Sequence, residues 1–121
     1  MKNRIYDLEE RLIEFVLKID VLIEQLPNTR LANHISGQLI RSGSSPALNY
    51  GEVQSAESQK DFIHKIQVIL KELRETRICL KIIKKKSFID VSIIVPVLSE
   101  NEELIAIFAK SSKTAKSNLQ K

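Results

Sequence analysis

The sequence predicts an all-α protein, an antiparallel up-down-up-down four-helix bundle, and three observations carry the prediction. Apolar residues recur at alternating steps of three and four over long stretches, the spacing that gathers them on one side of a helix. Composition disfavours β structure: aromatic residues are 5% of the chain, Trp is absent, and Gly and Pro number three each, too few for a fold of short strands and tight turns. The helical stretches are joined by links of a few residues, which makes sequential helices antiparallel neighbours. With 121 residues, 43% hydrophobic and 28% charged, the chain (1–121) is a single domain able to bury its own core.

The first helix is expected over about residues 3–26, where Ile5, Leu8, Leu12, Phe15, Ile19, Leu22 and Leu26 form one seam. Ile13, Val16, Leu17, Val21 and Ile23 lie off that seam, so the apolar surface is wider than one stripe and calls for burial on a second side. Pro27 ends the helix, and Asn28 or Thr29 can cap the next.

The second helix, about residues 31–53, is the most distinctive stretch. Ala32, Ile35, Leu39, Ser42, Pro46, Asn49 and Val53 share a stripe that changes from large apolar to small and polar residues. Such a stripe must fit close to a neighbouring backbone and find hydrogen-bond partners. Pro46 removes the helical bond to Ser42 and is expected to kink or open the helix. Ser58 followed by Asp61 resembles a capping box opening a third helix over about 59–85, with the seam Phe62, Ile66, Ile69, Leu73, Thr76, Leu80 and Ile83. Residues 91–98, VSIIVPVL, are β-branched but have no strand to pair with, and read as a loop or a first helical turn. Ser99 with Glu102 repeats the capping pattern, so the fourth helix is expected over about 100–117, with Leu104, Phe108, Ser111, Ala115 and Leu119 inside.

Charge is unevenly spread. The net is +4, but residues 2–26 carry four basic and six acidic side chains while residues 60–86 carry nine basic and three acidic. Lys71, Arg74, Arg77, Lys81, Lys84 and Lys85 form a basic stripe opposite the third seam. It reads either as a solvated face or as a nucleic-acid-binding surface making phosphate contacts with little sequence preference. Arg41, Ser45, Asn49, Glu52, Glu72 and Glu75 read as a buried structural network joining the second and third helices, because buried charges persist only when paired.

Signs of catalysis are missing. Glu72 and Glu75 have no nucleophile, glycine-rich phosphate loop or metal-spaced histidine beside them, and His34 and His64 stand apart. Neither an enzyme, a cofactor nor a metal site is expected. Cys79 is the single cysteine and reads as packing in a reducing compartment. No stretch approaches the roughly 20 apolar residues that cross a bilayer, and the MKNRIYDLEE start lacks a signal-peptide core, so a cytoplasmic protein without membrane contact is expected.

Gln38, Arg41-Ser42-Gly43, Ser45, Asn49 and Glu52, then Ser58 with Asp61-Phe62, Lys71-Glu72, Glu75-Thr76, Glu102-Glu103-Leu104 and Lys113-Thr114-Ala115-Lys116, carry a resemblance that covers nearly the whole chain. It resembles the bacterial four-helix-bundle family first noticed as open reading frames within intervening sequences of 23S ribosomal RNA genes. Pro46 departs from it, standing where many members have an aliphatic residue. The resemblance implies ring-shaped homopentamers and supplies no biochemical activity. A related group, the accessory proteins of diversity-generating retroelements, implies a basic barrel that works with RNA and a reverse transcriptase. Two functions are therefore expected to compete: an RNA-binding accessory module, whose ring would repeat the basic stripe, and a protein interaction scaffold with no nucleic-acid role.

Overall fold

The computed structural model describes residues 8–120, which form four helices and, among those residues, no strand. They are α1 (Leu8–Glu24), α2 (Arg30–Gln54), α3 (Gln59–Lys86) and α4 (Val91–Leu119). The expected start of the first helix near residue 3, with Ile5 of its seam, lies outside the described residues.

Local chemistry sets most helix ends. Thr29 caps α2, its Oγ1 accepting from the Ala32 amide at 3.1 Å. Ser58 caps α3 in the same way, accepting from the Asp61 amide at 3.1 Å. The reciprocal bond is displaced by one residue: the Asp61 carboxylate accepts from the Glu57 amide at 3.1 Å. At its other end α3 closes in a Schellman motif, with Ser87 at φ 55°, the Phe88 amide donating to the Ile83 carbonyl at 3.2 Å and the Ser87 amide to Lys84 at 3.1 Å. Phe88 then packs against the core.

The fourth helix corrects the sequence reading. It begins at Val91, capped by Asp90, whose carboxylate accepts from the Ser92 amide at 2.8 Å. Residues 91–98 are helical and Ser99 is interior to the helix, so the Ser99–Glu102 capping pattern goes unused. Tertiary burial overrides the β-branched composition: Ile94 and Val97 enter the core, while Pro96 faces solvent near the helix start. Downstream the buried stripe is Asn101, Leu104, Phe108, Ser112 and Ala115. Ser112 replaces the expected Ser111, and Leu119 is exposed.

Each helix packs against its neighbours in the chain, and α1 also meets α4 along a thinner seam; among the described residues α1 does not approach α3, nor α2 α4. The core lies between them, built on Leu12, Phe15, Leu39, Leu73, Leu80 and Phe108. The small-residue stripe of α2 serves close packing as expected. A Cβ on Gly43 would meet Ile19 Cγ1 of α1 at 3.2 Å, so glycine there lets α1 and α2 approach. On its α3 side the fully buried hydroxyls of Ser42 and Thr76 lie 2.8 Å apart. Thr76 Oγ1 is also 3.0 Å from the Glu72 carbonyl. One proton per hydroxyl lets Thr76 donate to the carbonyl and accept from Ser42. Helix α2 runs unbroken through Pro46.

Candidate nucleic-acid interface

Helix α3 turns its apolar seam inward, and the same periodicity turns its cations outward. Lys71, Arg74, Lys81, Lys84 and Lys85 are all exposed, and none of them makes an ion pair among the described residues. Arg77 differs. Its Nε and Nη2 donate to the two carboxylate oxygens of Glu102 on α4 at 2.6 and 2.8 Å. The guanidinium holds the Glu102 carboxyl below its usual range, and the carboxylate raises Arg77 in turn. Arg77 thus ties α3 to α4 and is neutralised there.

The α3/α4 seam adds cations that reading the third helix alone does not supply. A groove of about 440 Å³ runs between the two helices, lined by Gln67, Arg74, Ser112, Lys113, Lys116 and Ser117 among others. Gln67 Nε2 donates to Ser112 Oγ at 2.7 Å across its floor. Lys113 and Lys116 were visible in the sequence as cations three apart near a helix end, a pattern that complements the helix dipole; what brings them beside Arg74 is the pairing of helices. At the other end of α3 the surface changes character, since Lys81, Lys85 and Lys86 surround apolar Leu31, Ile78 and Ile82.

The polar network divides into three. Arg41 joins Glu72, at 2.8 Å, and Glu75, so a half-exposed arginine on α2 neutralises a carboxylate on α3 that is only 10% exposed. Both carboxylates raise the affinity of Arg41 for its proton, Glu75 first. Ser45 and Asn49 bond to each other along α2, Nδ2 to Oγ at 2.9 Å. Glu52 is a correction to the buried-network reading: its side chain is 67% exposed and reaches Lys65 only at 3.8 Å. It sits near the end of α2, where the helix face has turned to solvent.

Further polar joints went unanticipated. Asn101, fully buried on α4, donates Nδ2 to the Leu73 carbonyl at 3.0 Å, and its Oδ1 has no partner among the described residues. Arg11 pairs with Glu100, its Nε at 3.1 Å and Nη2 at 2.6 Å from the two carboxylate oxygens, across the thin α1–α4 seam. Cys79 is buried, which pushes its thiol up. Among the described residues no group of His, Cys, Asp and Glu is placed to hold a metal ion, and no helix is long and apolar enough to cross a membrane.

Four helices carrying a cation-lined groove, with the acidic side chains of the core interface already paired to arginine, define an all-α protein whose distinctive chemistry lies on its surface. The chain belongs to the 23S rRNA-intervening sequence protein family, whose model matches residues 5–110. It is similar to a solved protein of unknown function from the S23 ribosomal protein family of Bacteroides thetaiotaomicron, with 28% identity and a TM-score of 0.79 over 87% of this chain and 97% of that one. No curated protein matches the chain.

Proposed function

We propose that this protein is a non-enzymatic, cytoplasmic RNA-binding accessory module that works as a homo-oligomer, a pentamer as its family resemblance implies, with an up-down-up-down arrangement in each subunit. One observation carries the reading: the α3/α4 groove presents Arg74, Lys113 and Lys116 beside hydrogen-bonding Gln67 and Ser117 with no acid in its lining. That is a surface suited to phosphate oxygens, which accept from cations and from neutral donors alike. Lys71 extends it along α3. Repetition of the groove around a ring would let one RNA engage several copies, so weak single contacts would add to substantial avidity. A reverse transcriptase is a candidate protein partner. The scaffold reading, a ring that docks another protein without nucleic acid, draws on the exposed Leu48, Val91 and Val95.

Fluorescence polarisation with mixed-sequence RNA separates the two. Log affinity of the parent is expected to fall with log salt by roughly 0.7 per neutralised phosphate of a single strand. The Arg74→Glu, Lys113→Glu, Lys116→Glu variant should keep its helicity and oligomeric state and lose binding. No binding at low salt, or binding that survives the triple reversal, would leave the scaffold reading in front.

A further inference from the structure

Two rows of exposed apolar side chains stand in surroundings of opposite charge. On α1, Ile13, Leu17 and Val21 succeed one another at steps of four and are 43%, 59% and 56% exposed. Glu10, Glu14, Asp20 and Glu24 flank them, all exposed and without an ion pair among the described residues. On the α2–α3 side, Leu31, Ile78 and Ile82 line a shallow depression of about 670 Å³ rimmed by Lys81, Lys85 and Lys86, with Ile78 itself 55% exposed. Scattered exposed apolar residues are ordinary, but apolar patches bordered mainly by charge of one sign, with Lys18 the exposed cation beside the α1 row, have the composition of a covered surface.

We propose that these are the two halves of one contact between copies of this chain: α1 of one subunit seats on the Leu31–Ile78–Ile82 depression of the next. Apolar side chains then meet at the centre, and α1's acids meet Lys81, Lys85 and Lys86 at the rim. The inference rests on the homo-oligomer reading above and assigns its surfaces. Dimensions agree, since Ile13 to Val21 and Ile78 to Lys86 each span eight residue steps, about 12 Å of helix. Charge disfavours the symmetrical alternatives, because α1 against α1 sets four acids on four acids with only Lys18 to offset them, and the depression against itself sets lysines on lysines.

The contact is therefore heterologous. Within one chain α1 does not approach α3, so the halves lie on different sides of the subunit and each copy keeps one free for its next neighbour. Successive contacts close into a ring where the rotation allows. This pairing uses Lys81 and Lys85 between subunits and leaves the Arg74, Lys113 and Lys116 groove open on every copy, so the cations of α3 serve two partners at its two ends.

Sedimentation velocity on the full chain at tens of micromolar tests it, with Leu17→Glu and Ile78→Glu as probes. Both positions are exposed, and circular dichroism should show parental helicity. Each variant alone is expected to fall to the 13.8 kDa monomer. An equimolar mixture is expected to form a dimer and stop there, because each chain retains the half the other has lost. A parent that is itself monomeric would remove the homo-oligomer reading and this one together. A parent that assembles while either variant keeps the parental mass would overturn only the surfaces assigned here. A mixture that stays monomeric would overturn the heterologous pairing. RNA affinity at the groove, measured on both variants at low salt, should persist for each single copy and so keeps failure of the contact distinct from failure of the phosphate reading.

Discussion

Ser42 and Thr76 show how one pair of small polar side chains specifies a helix interface. Both hydroxyls are fully buried, so each must satisfy the other's hydrogen-bonding capacity. Thr76→Val keeps the shape and strands the Ser42 hydroxyl, at an expected cost of about 1 to 3 kcal/mol. Ser42→Ala together with Thr76→Val should cost less than the sum of the two single changes; additive losses in urea unfolding would show that the hydroxyls are not coupled. Arg41→Ala is expected to lower the urea midpoint by leaving the nearly buried Glu72 carboxylate unpaired, a loss moderated because Arg41 is half-exposed. Glu52→Leu should change stability by no more than about 0.5 kcal/mol, since Glu52 stands in solvent. The glycines divide in the same way. Nothing lies within 4 Å of a Cβ added at Gly37, so Gly37→Ala should stabilise α2 by up to about 1 kcal/mol. Gly43→Ala must displace buried Ile19 and should destabilise.

At the scale of helices, α4 gives the clearest contrast between sequence and structure. Asp90→Ala removes the cap that is used and is expected to lower the melting temperature. Ser99→Ala, at the cap the sequence suggested, replaces an exposed interior serine with a better helix former and should be neutral or slightly stabilising. The opposite ranking in thermal melts would restore a helix start at residue 100. Thr29 and Ser58 were legible because a cap bonds to an amide within its own first turn. The start of α4 was not, because what makes residues 91–98 helical is burial of Ile94 and Val97 against other helices, and β-branched composition points locally the other way. Asn101 and Ser112 were missed for a related reason: their bonds go to the Leu73 carbonyl and to Gln67 on α3, which no spacing within α4 reveals. The Arg41 pairing was legible, since an arginine in the middle of the second helix and two glutamates three apart in the middle of the third are a ready ion pair between sequential helices. The groove was not, because it belongs to neither helix alone.

The whole molecule titrates through a few of these joints, and the sign of its pH dependence follows from them. The Asp61 carboxyl is held low chiefly by Lys65 and by the Glu57 amide, Asp90 by Ser92, and Glu102 by Arg77. A carboxyl bound more weakly to its proton in the folded chain contributes stability that is complete above its unfolded value, near 4, and is lost as pH falls through the lowered folded value. Cys79 works in the other direction. Burial raises its thiol, so its contribution is complete below the unfolded value of about 8.5 and is lost as pH rises through the folded one. Stability should therefore be level between about pH 5 and 8, decline below about pH 4, and decline again above about pH 8.5. The paired carboxylates are largely exposed, so the acid limb should be shallow and should flatten further in salt, whereas the onset of the alkaline limb, governed first by burial of the thiol, should respond to salt less. Urea midpoints measured across pH check both limbs. Glu102→Gln should make the acid limb shallower, and Cys79→Ala should remove the alkaline limb attributable to the thiol. An acid limb unchanged in Glu102→Gln would mean that the Arg77 bridge between α3 and α4 contributes nothing to folding.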